Sequence, residues 1–182
     1  GNVVGWFQGR MEWGARALGN RSILADPRRA DMRDLINVKI KLREKFRPFA
    51  PSILESAVSD YFVDPAPDPF MQQVYPVRED KRHILPAITH VDGTGRLQTV
   101  NQDQNPLYHA LICEFEKITG VPVLLNTSFN ENEPIVDTPE QALACFLRTR
   151  MDAIVIGNTM VLRSEKKVET QKDNVLQHTP IL

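Results

Sequence analysis

The sequence predicts one α/β or α+β domain built on a twisted, mixed sheet with flanking helices. Three observations predict it. Short apolar runs of strand character alternate with amphipathic helical stretches. No internal repeat recurs along the 182 residues. No Gly-, Ser- or Pro-rich linker divides the chain, so residues 1–164 are expected to form the domain and 165–182 a polar, weakly patterned tail. Hydrophobic residues are 42% of the chain, enough for a core without staples, and two cysteines exclude a disulfide framework. No apolar run approaches the roughly 20 residues of a membrane helix. The opening Gly1-Asn2-Val3-Val4-Gly5 lacks the basic-then-apolar start of a leader, so a cytoplasmic protein is expected.

Residues 3–7 read as a buried strand that starts with no preamble, as expected of a piece cut from a longer protein. Residues 22–25 read as a second short strand. Asp26-Pro27 predicts a helix start, followed by Met32, Leu35, Ile36 and Lys39 at helical spacing. Pro48 and Pro51 predict an extended stretch over 46–53. Residues 60–69, with Asp60, Asp64, Asp68 and three prolines, read as loop. Extended segments are predicted at 70–77 and 87–91, then a turn at Asp92-Gly93-Thr94-Gly95 and a return strand over 96–100. Asn105-Pro106 opens a helix that Gly120 stops, and Thr138-Pro139 opens another with Gln141 in capping-box position. A buried strand over 121–125 lies between them. A strand, a tight turn and a strand over 153–163 follow.

Several chemistries are excluded by missing motifs. There is no Gly-x-Gly-x-x-Gly and no Gly-x-Ser-x-Gly. Gly14 to Ser22 misses the phosphate-loop pattern by one inserted residue and by Arg for Lys. His83, His90, His109 and His178 have no metal-ligand spacing and read as surface or structural residues. Cys113 and Cys145 fall inside helical patterns and read as packing residues.

What remains is cationic. The net charge of −1 hides a split: residues 1–50 hold 11 Lys and Arg against 5 Asp and Glu, leaving 11 against 18 in the rest. Such a basic quarter either faces an anionic ligand or is a solvated face. Arg10, Arg16 and Arg21 lie in a glycine-rich stretch. Lys39, Lys41, Arg43, Lys45 and Arg47 alternate, which in an extended chain puts all five on one face. Asn126-Thr127-Ser128-Phe129-Asn130 follows a buried strand, where ligands of α/β sheets gather. An ordinary Ser/Thr turn explains that stretch equally well.

Four longer stretches carry a resemblance. Glu12-Trp13-Gly14-Ala15-Arg16-Ala17-Leu18-Gly19-Asn20-Arg21-Ser22-Ile23-Leu24 is similar to the motif that opens the C-terminal domain of the nodulation-type and antibiotic-tailoring O-carbamoyltransferases. Arg43-Glu44-Lys45-Phe46-Arg47-Pro48-Phe49-Ala50-Pro51-Ser52 resembles a second motif of that family, and Thr89 to Val100 a third. Leu125-Asn126-Thr127-Ser128-Phe129-Asn130, with Glu133-Pro134-Ile135-Val136, resembles a fourth. The likeness runs in order from about Val3 to Arg163. It departs at Ala15, where proline is expected.

The resemblance implies a YrdC-like domain with a cationic concave surface. It implies chemistry on ATP, with Mg2+ as part of that substrate, and on carbamoyl phosphate, giving a carbamoyl-adenylate and pyrophosphate. Transfer to an acceptor hydroxyl is then expected from an N-terminal domain of the actin-like ATPase superfamily in the same full-length chain. By resemblance, Arg16, Lys41, Arg47, Arg96 and Ser128 fall at substrate- and nucleotide-binding positions, and Asn130 joins Ser128 in a Ser-x-Asn pattern. Lys41, Arg47 and Ser128 are expected to carry the catalysis, with no general base required for an ionised carbamate. Preorganised cations suit this chemistry because the phosphates repel one another. No tightly bound metal is expected, and Glu12 and Asp26 read as structural. The alternative is a non-catalytic nucleotide- or RNA-binding module. Against RNA stand an acidic body and a cationic run without interleaved aromatics beyond Phe46 and Phe49.

Overall fold

The computed structural model describes residues 1–41 and 48–164. In chain order its strands are β1 (Val4–Phe7), β2 (Arg21–Ala25), β3 (Ala50–Leu54), β4 (Tyr75–Pro76), β5 (Thr94–Gly95), β6 (Gln98–Val100), β7 (Val123–Ser128), β8 (Ala153–Ile156) and β9 (Thr159–Leu162). Its α-helices are α1 (Met32–Ile36), α2 (Val58–Tyr61), α3 (Pro106–Thr119) and α4 (Pro139–Arg148). Seven strands make one mixed sheet in the order β6-β3-β7-β2-β1-β8-β9. β7 runs antiparallel to both neighbours, β3 and β2, while β1 pairs parallel with β8 and β3 parallel with β6. β4 and β5 form a separate antiparallel ribbon. The mixed α/β fold expected from the alternating elements is the one observed.

Strand side chains alternate between faces, and the sheet uses both. Ile23 and Ala25 of β2, with Val123 and Leu125 of β7, join the larger core beside α1 and α4. Leu24 and Leu124 between them point the other way, against Tyr108 and Ile112 of α3. The helices over these faces start as their residues dictate. Asn105 accepts the Tyr108 N–H at 3.1 Å, and Thr138 and Gln141 form a reciprocal capping box. Gly120 ends α3 at φ 73°, a left-handed cap that glycine adopts without a Cβ penalty. No helix among the described residues is long and apolar enough to cross a membrane.

Four local expectations are corrected. The first helix starts at Met32, because the Asp26 carboxylate binds the Arg28 backbone N–H and guanidinium and holds a turn instead. That helix then runs into a π-helical turn over Asn37–Lys41, so Lys39 and Lys41 do not share an extended face with the later cations. Arg43, Lys45 and Arg47 lie outside the described residues. Residues 87–91 form turns, with Ile88 and Thr89 N–H both bonded to the Leu85 carbonyl. The segment after the Asp92 turn closes that turn, His90 N–H donating to the Thr94 carbonyl, and Thr94–Gly95 then pair with β4; β6 pairs parallel with β3. Residues 70–73 are folded by the buried Asp68 carboxylate, which accepts the backbone N–H of Phe70, Gln72 and Gln73, and Met71 sits at φ 55°.

Candidate anion site at the end of the sheet

β7 finishes where β2 and β3 begin: Ser128 lies opposite Ser22, and Asn126 opposite Ala50. A cavity of about 300 Å³ opens at that end. Its walls come from loop residues 15–17, residues 48–50, Met71 and Val74, His90 and Arg96, and the end of β7. Arg16, Arg96 and Ser128, far apart in sequence, thus meet on one cavity.

The loop bearing Arg16 is held from two sides. The Glu12 carboxylate accepts the N–H groups of Leu18 at 2.9 Å and Asn20 at 2.6 Å, so a carboxylate already fills the curl that resembles a phosphate loop. Beneath the loop, Asn126 Nδ2 donates to the Ala17 carbonyl, and Gln98 Nε2 to that of Leu18. Ser52 Oγ donates to Gln98 Oε1 at 2.6 Å, tying β3, β6 and β7 into one buried polar layer. Gly19, at φ 112°, lets the loop pass the Tyr108 ring, where any Cβ would collide.

The cations of this end fall into two kinds. Arg21 is buried over the Phe7 ring, and its guanidinium donates to the carbonyls of Gln8, Gly9, Asn20 and Asp137. Burial pulls its pKa down, opposed by Glu12 and Asp137. Lys41, delivered by the π-helical turn, is also buried. Its Nζ donates to the Ser128 carbonyl at 2.6 Å, the Asn130 carbonyl at 2.8 Å and Asn130 Oδ1 at 2.7 Å. Ser128 Oγ donates to the same Asn130 Oδ1 at 2.7 Å, and Asn130 Nδ2 donates to the Glu133 carbonyl. Lys41 and Asn130 therefore stand behind Ser128 and fix the end of β7, whereas Ser128 itself lines the cavity.

Arg16 and Arg96 are the other kind. Neither makes a hydrogen bond or ion pair among the described residues. Arg16 is exposed and Arg96 half-buried on the same wall. Burial pulls the Arg96 pKa down, and the positive charge of Arg16 pulls it further. Two like charges held together without a counterion form a site where an anion gains from both.

His90, read from sequence as a surface or structural residue, lines this cavity. Its Nδ1 lies 3.0 Å from Thr94 Oγ1, whose proton goes to Asp92 Oδ1 at 2.7 Å. In sequence it lies two residues before the Asp92-Gly93 turn and inside the Thr89–Val100 stretch that carries the resemblance. The other unassigned side chains behave as packing: Cys145 is fully buried, and burial with Glu133 beside it pushes its thiol up to about 12. Among the described residues no group of three or more His, Cys, Asp or Glu is placed to hold a metal ion.

The comparisons with known proteins fit this geometry. The family described as carbamoyltransferase C-terminus matches residues 1–163. Nodulation protein NolNO of Sinorhizobium fredii is 55% identical over 88% of this chain and 24% of its own length. Nodulation protein NolO of Bradyrhizobium diazoefficiens is 54% identical over 88% of this chain and 30% of its own. The 3'-hydroxymethylcephem-O-carbamoyltransferase of Amycolatopsis lactamdurans is 42% identical over 91% of this chain and 31% of its own. The chain thus spans less than a third of the length of these relatives. Over nearly all of its described residues, the chain belongs to the carbamoyltransferase C-terminus family.

Proposed function

We propose that this domain activates a carbamoyl group for transfer by the remainder of a longer carbamoyltransferase. The observation that carries the reading is the pair Arg16 and Arg96, unpaired cations on one cavity that ends at the Ser128 hydroxyl. Family membership supports a role in carbamoyl transfer. One relative's printed name, an O-carbamoyltransferase, indicates transfer to oxygen.

In this reading the substrates are carbamoyl phosphate and ATP with its Mg2+. Water cleaves carbamoyl phosphate to carbamate, phosphate and a proton. A carbamate oxygen then attacks the α-phosphorus of ATP, forming the carbamoyl-adenylate as the bond to pyrophosphate breaks. The attacking and attacked groups are both anionic, so their approach must be neutralised. Arg16 and Arg96 offer planar donor forks for that, both on the wall of the cavity. Ser128 adds a hydroxyl donor once its bond to Asn130 is exchanged for one to phosphate. Lys41 and Asn130 hold Ser128 in place. Arg47 is assigned to the same nucleotide end by resemblance.

The test is pyrophosphate release by the full-length protein from ATP, Mg2+ and carbamoyl phosphate. Wild type is expected to release it, and Arg96→Ala or Ser128→Ala to lose about ten- to hundredfold in substrate affinity, the worth of one charged hydrogen bond. Absence of pyrophosphate, or RNA binding that displaces ATP, overturns the reading.

A further inference from the structure

Three of the buried side-chain atoms that lack a hydrogen-bond partner belong to residues lining this one cavity: His90 Nε2, Arg96 Nε and Asn126 Oδ1. A buried polar atom without a partner costs about 1–3 kcal/mol, so such atoms are rare and call for a reason. A cluster on the wall of a cavity has a simple one: the missing partner is the ligand.

The chemistry of the three atoms defines that ligand. Arg96 Nε is a donor and Asn126 Oδ1 an acceptor. The role of His90 Nε2 follows from its neighbours. The Asp92 carboxylate can only accept, so the Thr94 hydroxyl donates to it. Thr94 Oγ1 then accepts from His90 Nδ1–H, which leaves the lone pair on Nε2. Burial lowers the His90 pKa; Asp92 opposes this, while Arg96 and Arg33 reinforce it, so the ring is neutral near pH 7. The cavity therefore carries two unpaired acceptors beside its cations.

A phosphate satisfies cations and donors but has no N–H for acceptors. Carbamoyl phosphate has both: a carbonyl oxygen that accepts and an NH2 that donates, on one carbon joined to phosphorus through the anhydride oxygen. We infer that His90 is the residue by which this site recognises a carbamoyl group, its Nε2 accepting from the carbamoyl NH2 while Arg96 Nε donates to the carbonyl. Asn126 Oδ1, the other unpartnered acceptor among the lining residues, takes the second N–H in this inference. The inference rests on the proposed activation of carbamoyl phosphate. Its consequence is selectivity: acetyl phosphate, with a methyl in place of NH2, leaves both acceptors unpaired. The exocyclic amine of adenine also donates, but it lies a ribose away from the phosphates, whereas His90 and Arg96 line the same cavity.

The experiment uses the full-length protein with MgATP and compares wild type with His90→Phe, His90→Gln and Thr94→Val. Pyrophosphate release is followed at varied carbamoyl phosphate, with acetyl phosphate as competitor. Wild type is expected to favour carbamoyl over acetyl phosphate by about ten- to hundredfold. In His90→Phe that ratio collapses toward one while ATP affinity holds. His90→Gln, whose side-chain oxygen reaches the place of Nε2, retains most of it. Thr94→Val, which keeps the ring but removes the partner of Nδ1, loses several-fold. An unchanged ratio in a folded His90→Phe protein overturns the assignment and leaves the activation reading standing. A loss confined to ATP, and absent with a purine triphosphate lacking the exocyclic amine, gives the acceptors to adenine and also overturns it. A wild type that releases no pyrophosphate overturns the activation reading and this inference with it.

Discussion

Arg21 and Lys41 differ from Arg16 and Arg96 in one respect that decides their roles. The first two are buried and spend their donors on backbone carbonyls and Asn130. The second two share a cavity wall and spend none on the described protein. The saturated pair holds the end of the sheet; the unsaturated pair, in the proposed function, meets the ligand. Charge count alone does not make a binding site; unspent donors do.

Lys41→Ala breaks the saturated side, with the largest expected effect. It removes the charged donor shared by the Ser128 carbonyl, the Asn130 carbonyl and Asn130 Oδ1, leaving the Ser128 carbonyl with the Asn130 N–H and Asn130 Oδ1 with the Ser128 hydroxyl. A stability loss of about 3 kcal/mol is expected, from one charged donor removed from three acceptors at the end of β7. In a domain of this size that is a fall in melting temperature of roughly 6–12 °C, read by thermal unfolding. An unchanged melting temperature would place Lys41 with the ligand-binding cations instead.

Arg96→Met probes the unsaturated side with the opposite signature. Stability is expected to stay within about 1 kcal/mol of wild type, because a half-buried charge without a partner contributes little to the fold. Affinity for an anionic ligand is expected to fall about ten- to hundredfold, and its salt dependence to flatten. Titration of carbamoyl phosphate at two ionic strengths reads both. A destabilised protein with intact affinity would reverse the comparison.

The smallest effect belongs to the solvated cations. Arg28 is paired with Asp26 at 2.6 Å, its own side chain 40% exposed and that of Asp26 11%. Asp26→Asn is expected to change stability by at most about 1 kcal/mol, as water screens the pair. Burial alone would raise the Asp26 pKa, but the hydrogen bonds and charge of Arg28 outweigh it and lower it below the ordinary value. The pair therefore stabilises the fold above the unfolded carboxyl pKa near 3.9. That contribution is lost as pH falls through the lower folded value. Acid unfolding of Asp26→Asn should lack this component.

This comparison also marks how far the sequence could be read. Helices α3 and α4 were legible because Asn105-Pro106, Gly120 and the Thr138/Gln141 pair act locally. The first helix was misplaced because Asp26 had two partners available, a helix N-terminus or Arg28, and only the fold chose. The alternation of Lys39 and Lys41 suggested a strand face, while a π-helical turn turns one toward Asp152 and buries the other. Resemblance brought Arg16, Arg96 and Ser128 forward as residues, and the fold places them on one cavity. His90 was not legible, since its isolation in sequence hid a Thr94–Asp92 relay and an unpaired nitrogen that exist only once the turn is folded.

The most direct measurement of the central claim is exchange of radiolabelled pyrophosphate into ATP by the full-length protein, with and without carbamoyl phosphate. The account predicts exchange that requires carbamoyl phosphate, because a carbamoyl-adenylate formed at this cavity reverts to ATP when pyrophosphate returns. It also predicts exchange that falls at least tenfold in Arg96→Met. Exchange that ignores carbamoyl phosphate, or that survives loss of Arg96 unchanged, would contradict it.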